Sequence, residues 1–132
     1  MISIIIPSYK DPFLQKTIDS LLENAQGKIE VIPVLDGYVP QIPIKADKRV
    51  KPINLPNNHG MRAAINAGIK ASRGKFIMKC DSHCLFGQSF DKILSRSCAE
   101  NWLVVPRRYS LDENKWQRNE KRPVRDYHYL TA

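Results

Sequence analysis

At 132 residues the chain is long enough for one domain with a real core, and short for an enzyme that must seat two substrates. No apolar run approaches the roughly 20 residues of a membrane span, Met1–Pro7 is too short for a signal-peptide core, and Cys80, Cys84 and Cys98 lack the C-x-x-C spacing of a zinc knuckle or disulfide framework. The net charge of +8 favours an anionic partner, but the basic residues are scattered and no RRM, KH or helix-turn-helix signature is present, so nucleic acid is not the expected partner.

In chain order, Ile2–Pro7 is a β-branched run of the kind buried on both faces of a parallel sheet, closed by Pro7. A helix follows, with Asp11 as N-cap, Pro12 at its first position, an apolar stripe of Phe13, Ile18, Leu21 and Leu22, and Gly27 beyond its end. Lys28–Leu35 is a second strand ending at Asp36-Gly37. Pro33 cannot donate to a ladder, so a bulge or a sheet edge is expected there. Tyr38–Lys48 has no period and reads as a loop, Val50–Leu55 as a third strand, and Pro56-Asn57-Asn58 as a turn. A second helix is expected over His59–Ser72, capped by Asn58, with Met61, Ile65, Gly68 and Ser72 on its close-packed face. Lys75–Cys80 forms a fourth strand, Gln88–Glu100 a third helix and Trp102–Val105 a fifth strand with Trp102 in the core. From Pro106 the chain is polar and basic, with Arg107, Arg108, Lys115, Arg118, Lys121, Arg122 and Arg125 as its densest positive charge. That stretch reads as a solvated basic surface or as a site for anionic lipid, phosphate or an acidic polymer.

This alternation is that of an open α/β sheet with helices on its faces. In such sheets ligands bind at the carboxyl ends of the strands, where the strand order reverses. Three of those ends carry polar groups here: Pro7-Ser8-Tyr9, Asp36, and Asp81-Ser82-His83. Asp36-Gly37 alone is a common turn pair, but the coincidence of three polar ends points to a site. Asp81 and His83, at i and i+2 of an extended segment, would point to one side and could grip one cation. Carboxylate, imidazole and phosphate oxygens suit Mn²⁺, with Mg²⁺ also compatible. At the start of the second helix Asn58 and Gly60 offer backbone N–H groups to an anion, and Arg62 stands one turn in. Gly68 reads as a close-packing residue, His59 as a helix-start residue and Cys84 as a packing residue; Trp116 reads as core or as a contact for a sugar ring.

With these residues in hand, the chain resembles the family 2 glycosyltransferases of the GT-A fold. ISIIIPSYKDPFLQKTIDSLL is similar to their opening strand and helix, and VLDGY to the segment carrying their base-recognising acid. NNHGMRAAINAGIKASRGKFIMKCDSH resembles their N-x-G-x-x-x-A-x-N-x-G-I…D-x-D segment, and the DSHC form resembles that of polypeptide N-acetylgalactosaminyltransferases. The resemblance implies a single nucleotide-sugar-binding GT-A domain over 1–132, with 1–105 as its matched core, 106–132 as a basic tail, and an acceptor half missing beyond it. It implies that Pro7, Ser8 and Tyr9 line the nucleotide cleft and that Asp36 accepts from the uracil N3–H. Asn58, Gly60 and Arg62 would lie at the donor, and Asp81 and His83 would hold Mn²⁺ on a UDP-sugar. Gly37 stands where many members carry a second acid. The expected partners are a UDP-sugar and a glycan, lipid or protein acceptor, with peripheral membrane contact and a cytoplasmic location. Two other readings stay open: a nucleotide-sugar or metal-binding module without catalysis, and a nucleotidyltransferase, although Ser8-Tyr9-Lys10-Asp11 lacks the Gly-rich basic loop of the latter.

Overall fold

The computed structural model describes residues 1–124. Its centre is a four-stranded sheet, all parallel, in which β1 (Ile2–Ser8) lies between β2 (Ile29–Asp36) and β4 (Phe76–Lys79), and β3 (Ile53–Leu55) flanks β2. Helix α1 (Leu14–Asn24) connects β1 to β2, and α2 (Met61–Ala71) connects β3 to β4. A shorter helix, α3 (Phe90–Arg96), follows β4.

The period-2 alternation of β1 and β2 divides the core between the sheet faces. Ile2, Ile4, Ile6, Ile29, Val31 and Leu35 pack with Leu14, Ile18 and Leu21 of α1 and Phe90 of α3. Ile5, Ile32 and Val34 pack on the other face with Ala64 of α2. Both faces are covered, which is why these two strands read as nearly continuous apolar runs. Gly68 lets α2 descend onto the sheet, because a Cβ there would lie 2.5 Å from Ile5 Cγ2.

One polar cluster is buried in this frame. Glu30, with its side chain only 2% exposed, accepts from Ser3 Oγ (2.5 Å), the Arg73 N–H (2.5 Å) and Lys51 Nζ (2.8 Å), while Ser3 Oγ accepts from the Gly74 N–H (2.7 Å). It ties the α2–β4 turn to the amino-terminal ends of β1 and β2, opposite the expected site.

Several expectations are corrected. Pro33 makes neither an edge nor a bulge: it sits in regular register opposite Ile6 within a central strand. The Val31 N–H and C=O both bond toward Arg49 and Lys51, so two residues on Pro33 turns its nitrogen the same way. There the neighbouring ladder is interrupted between the Val31–Val50 bridge and the first β3 pair, Val34–Ile53, so no donor is missed. Helix α1 begins at Leu14 rather than Pro12, because the Asp11 carboxylate takes the Phe13 N–H (2.8 Å) in a turn ahead of it. Helix α2 begins at Met61 after a Gly60 with φ of 91°, so Asn58 is not its cap. Helix α3 is shorter than expected at both ends.

Residues 102–105 form no strand, and Trp102 is 67% exposed rather than core. Their apolar run has strand character but meets no ladder partner among the described residues, and Pro106 ends it. A two-residue hairpin of β5 (Leu111–Asp112) and β6 (Gln117–Arg118) lies beyond, with Trp116 at its turn stacked on Phe13 at 5.5 Å. Arg118 stands 3.8 Å over the Tyr109 ring. Arg125 of the basic stretch lies outside the described residues.

Candidate functional site

The chain builds β1, β2 and β3 in one direction across the sheet and then crosses to the other side of β1 for β4. The switch point therefore lies between the carboxyl ends of β1 and β4, where a crevice is expected. It is there that residues remote in sequence meet. Asp11, just past β1, accepts from Ser82 Oγ (2.7 Å) and contacts His83 Nδ1 (2.8 Å) through Oδ2, while its Oδ1 holds the Phe13 N–H. Sequence reading assigned Asp11 only to a helix start; its contacts span 71 and 72 residues, which no local pattern reports.

Burial alone would raise the Asp11 pKa, but hydrogen bonds from His83, the Phe13 N–H and Ser82 outweigh it and hold it below the usual carboxylate range. An ionised carboxylate only accepts, so the imidazole donates from Nδ1, and in its neutral form Nε2 carries the lone pair. The same bond raises the His83 pKa against the opposing effect of burial, with smaller contributions from neighbouring charges, including Asp81. A carboxylate behind a histidine in this way is the usual support of a metal-ligating imidazole.

The loop itself is held from below. Buried Thr17 of α1 donates its hydroxyl to the Ser82 carbonyl (2.9 Å) and accepts the Cys84 N–H (2.9 Å). This bends the backbone at Ser82 and His83, so the extended i, i+2 geometry expected for Asp81 and His83 is not formed. Asp81 is exposed and ion-paired with Lys79. Among the described residues no three His, Cys, Asp or Glu side chains form a metal-holding group, so an ion here would need ligands from its substrate as well. The donor set present, one exposed carboxylate and one oriented imidazole, fits that role. Next to it, Cys84 packs against the core cluster that contains Cys80.

A second cluster forms at the end of β2. Asp36 is 3% exposed, and its Oδ1 accepts the His59 N–H (2.8 Å) while Oδ2 accepts the Gly60 N–H (2.9 Å) and Asn58 Nδ2 (3.2 Å). Asn58 also donates to the Asp36 carbonyl (3.1 Å). The carboxylate thus ties down the loop before α2 and places negative charge near the helix's positive end. Three of its roughly four lone-pair positions are taken. Gly37, with φ of 78°, is required here: a Cβ would stand 2.1 Å from the Asn58 nitrogen. Asn58 is exposed, Gly60 partly so, and Arg62 stands exposed on the first turn of α2.

Between the clusters, buried Ser8 shares a 2.6 Å hydrogen bond with the Tyr38 hydroxyl, and Tyr9 meets the Tyr38 ring edge-on at 6.0 Å with Lys10 over its own ring. Pro7 is partly buried in β1. Burial raises the Tyr38 pKa, and the nearby Asp11 charge adds to that rise, so Tyr38 keeps its proton. Tyr38 lay in a stretch without periodicity, and only its position directly after Asp36-Gly37 could have flagged it.

Polar strand ends beside a reversal of strand order are where open α/β sheets bind their ligands, although the His59 and Gly60 N–H groups, expected to be open to an anion, are already taken by the Asp36 carboxylate. The model of the family described as Glycosyl transferase family 2 matches residues 3–131. The chain belongs to glycosyl transferase family 2. This transferase-family chain is 34% identical over 112 residues to a Bacillus subtilis (strain 168) protein named uncharacterized glycosyltransferase EpsJ, covering 80% of this chain and 32% of that one. It is 36% identical over 89 residues to the uncharacterized glycosyltransferase YwdF of the same organism, covering 64% and 33%. A Haemophilus influenzae protein named uncharacterized glycosyltransferase is 36% identical over 89 residues, covering 62% of this chain and 36% of that one. The chain spans about a third of the length of these curated relatives. The α/β architecture with a parallel sheet between helices agrees with the GT-A fold expected from the sequence. No helix among the described residues is long and apolar enough to cross a membrane.

Proposed function

We propose that this chain is the donor-binding part of a glycosyltransferase that takes its sugar from a UDP-sugar, with Mn²⁺ or Mg²⁺ held by Asp81 and His83 against the diphosphate. The observation that supports the reading is the Asp11–His83 pair at the switch point, which orients an imidazole two residues along the chain from the exposed Asp81. When bound, the cation would offset the negative charge that builds on a departing diphosphate. Asp11 fixes the tautomer of neutral His83, and Asp81, paired with Lys79, would exchange that ammonium for the metal ion. Ser8, Tyr9 and Pro7 would form the floor for the nucleoside, and the remaining lone pair of Asp36 would receive the uracil N3–H. The backbone before α2, kept in place by Asp36, and Arg62 would face the phosphates or the sugar. The DSH sequence and its likeness to polypeptide N-acetylgalactosaminyltransferases support the use of histidine where other members carry a second acid. The acceptor would be a glycan, lipid or protein.

Calorimetry of UDP with and without Mn²⁺ tests this. Asp81→Ala is expected to abolish the Mn²⁺-dependent part of the binding, and an unchanged affinity would remove the metal assignment. A hydrolysis assay on UDP-sugars separates an active transferase from a module that binds its donor without turnover.

A further inference from the structure

Cys80 and Cys84 flank Asp81-Ser82-His83, and the metal reading gives neither of them a task. Cys80 is 8% exposed, at the end of the fourth strand, with its N–H bonded to the Ile5 carbonyl (3.1 Å). Cys84 is partly exposed, and its N–H is held by Thr17 Oγ1. The bend between them brings both side chains to the same face of the sheet, where Cys84 packs against the core cluster containing Cys80. Both are free thiols, and Cys98 lies apart, with its sulfur against the Ala99 and Trp102 carbonyls.

We propose that Cys80 and Cys84 form a redox modification site, a dithiol that closes to a disulfide across the loop bearing Asp81 and His83. Two thiols four residues apart on either side of a bend, packed into one core cluster, need little backbone movement to reach bonding geometry. Their unequal exposure sets the order of steps. The Cys84 thiolate, which solvent can reach, attacks a low-molecular-weight disulfide such as oxidised glutathione and releases one glutathione thiolate. The Cys80 thiolate then attacks the Cys84 sulfur of the mixed disulfide and releases the second. Two protein thiols lose two electrons and two protons, and one glutathione disulfide becomes two glutathiones. Buried Cys80 never has to meet the oxidant. The resulting five-residue ring holds Asp81 and His83 in a loop whose Ser82 and His83 are now held by Thr17 and Asp11. That oxidation weakens cation binding rests on the function proposed above; the cross-link itself does not.

The test incubates the whole chain with oxidised glutathione, blocks remaining thiols and maps peptides after trypsin. Cleavage after Lys79 and Lys92 leaves both cysteines in one peptide and Cys98 in another. The expected result is a Cys80–Asp-Ser-His–Cys84 peptide lighter by two hydrogens, refractory to the blocking reagent until reduced. Cys80→Ala should instead trap glutathione on Cys84, and Cys84→Ser should leave Cys80 unmodified. If Cys80→Ala does not fold, the Cys84→Ser comparison carries the test. A wild-type peptide that keeps both thiols while Cys98 is modified, or that holds a lasting glutathione adduct with Cys80 free, overturns the proposal. In parallel, Mn²⁺-dependent UDP affinity should drop about tenfold on oxidation, the scale on which disturbed support of metal ligands acts. A cross-link with unchanged affinity overturns the coupling to the metal loop. A cross-link in a protein whose reduced form shows no Mn²⁺-dependent binding counts against the donor-site reading and supports the redox pair.

Discussion

Replacing Glu30 by glutamine removes one negative charge from the interior and leaves every neighbouring donor in place. Burial by itself would raise this carboxyl's pKa, but the Lys51 ammonium, the Ser3 hydroxyl and the Arg73 N–H outweigh burial and hold it at about 2, against an ordinary 4.5. At 1.36 kcal/mol per pH unit, that difference corresponds to roughly 3 kcal/mol favouring the folded state at neutral pH. Because the folded pKa is the lower one, the contribution is complete above pH 4.5 and is lost as pH falls from there to about 2. The glutamine amide would also turn an N–H₂ toward a donor on one side or the other, since both carboxylate oxygens accept in the wild type. Glu30→Gln is therefore expected to lose about 3 kcal/mol at pH 7 and to show a flatter stability profile in acid. Urea unfolding of both proteins at steps from pH 7 to pH 2 measures this directly. Asp11, Asp47 and Asp91 also have lowered pKa values, so the curve to inspect is wild type minus variant, where their effects cancel. A difference that stays constant across the acid range would refute the assignment to Glu30's charge, and one near zero at pH 7 would refute the cluster's importance.

Asp36→Ala strips the acceptors from the His59 and Gly60 N–H groups and should destabilise the chain by about 2–4 kcal/mol, with amide exchange at residues 58–60 rising in parallel; protection unchanged there would show that the loop holds its shape without the carboxylate. Asp11→Asn removes the charge that supports His83, so the His83 pKa, read from its imidazole proton shifts in an NMR titration, should fall from its raised position; an unmoved titration would break the Asp11–His83 assignment. Gly68→Ala gains helix propensity but drives its Cβ to 2.5 Å from Ile5 Cγ2, and a net loss of about 1–2 kcal/mol in urea unfolding is expected. A gain in stability would mean that Ile5 can move aside.

Much of the fold was legible because its signals are local. The apolar runs of Ile2–Pro7 and Lys28–Leu35 and the helical stripes of α1 and α2 each carry their period in adjacent residues, and all four elements formed close to where they were expected. Trp102–Val105 has the same local character yet forms no strand, because a strand also needs a neighbour to bond, and nothing in four residues says whether one is there. Pro33 shows the converse: a residue that is poor in a central strand is harmless where the adjacent ladder is interrupted.

The residues of the candidate site divide in the same way. The chain's own letters determined which polar groups stand at the strand ends, since a hydrophobic run followed by Asp36 or by Asp81-Ser82-His83 is visible without coordinates. Which of these groups touch was settled only by the tertiary structure. Crossing from one side of β1 to the other brought Asp11 to His83, and the fold of the loop before α2 turned Asp36 from an open acceptor into that loop's anchor. Hydrogen bonds between residues some 20 to 70 positions apart depend on how the sheet is wound, and periodicity, which reports only what neighbours along the chain share, carries no record of it.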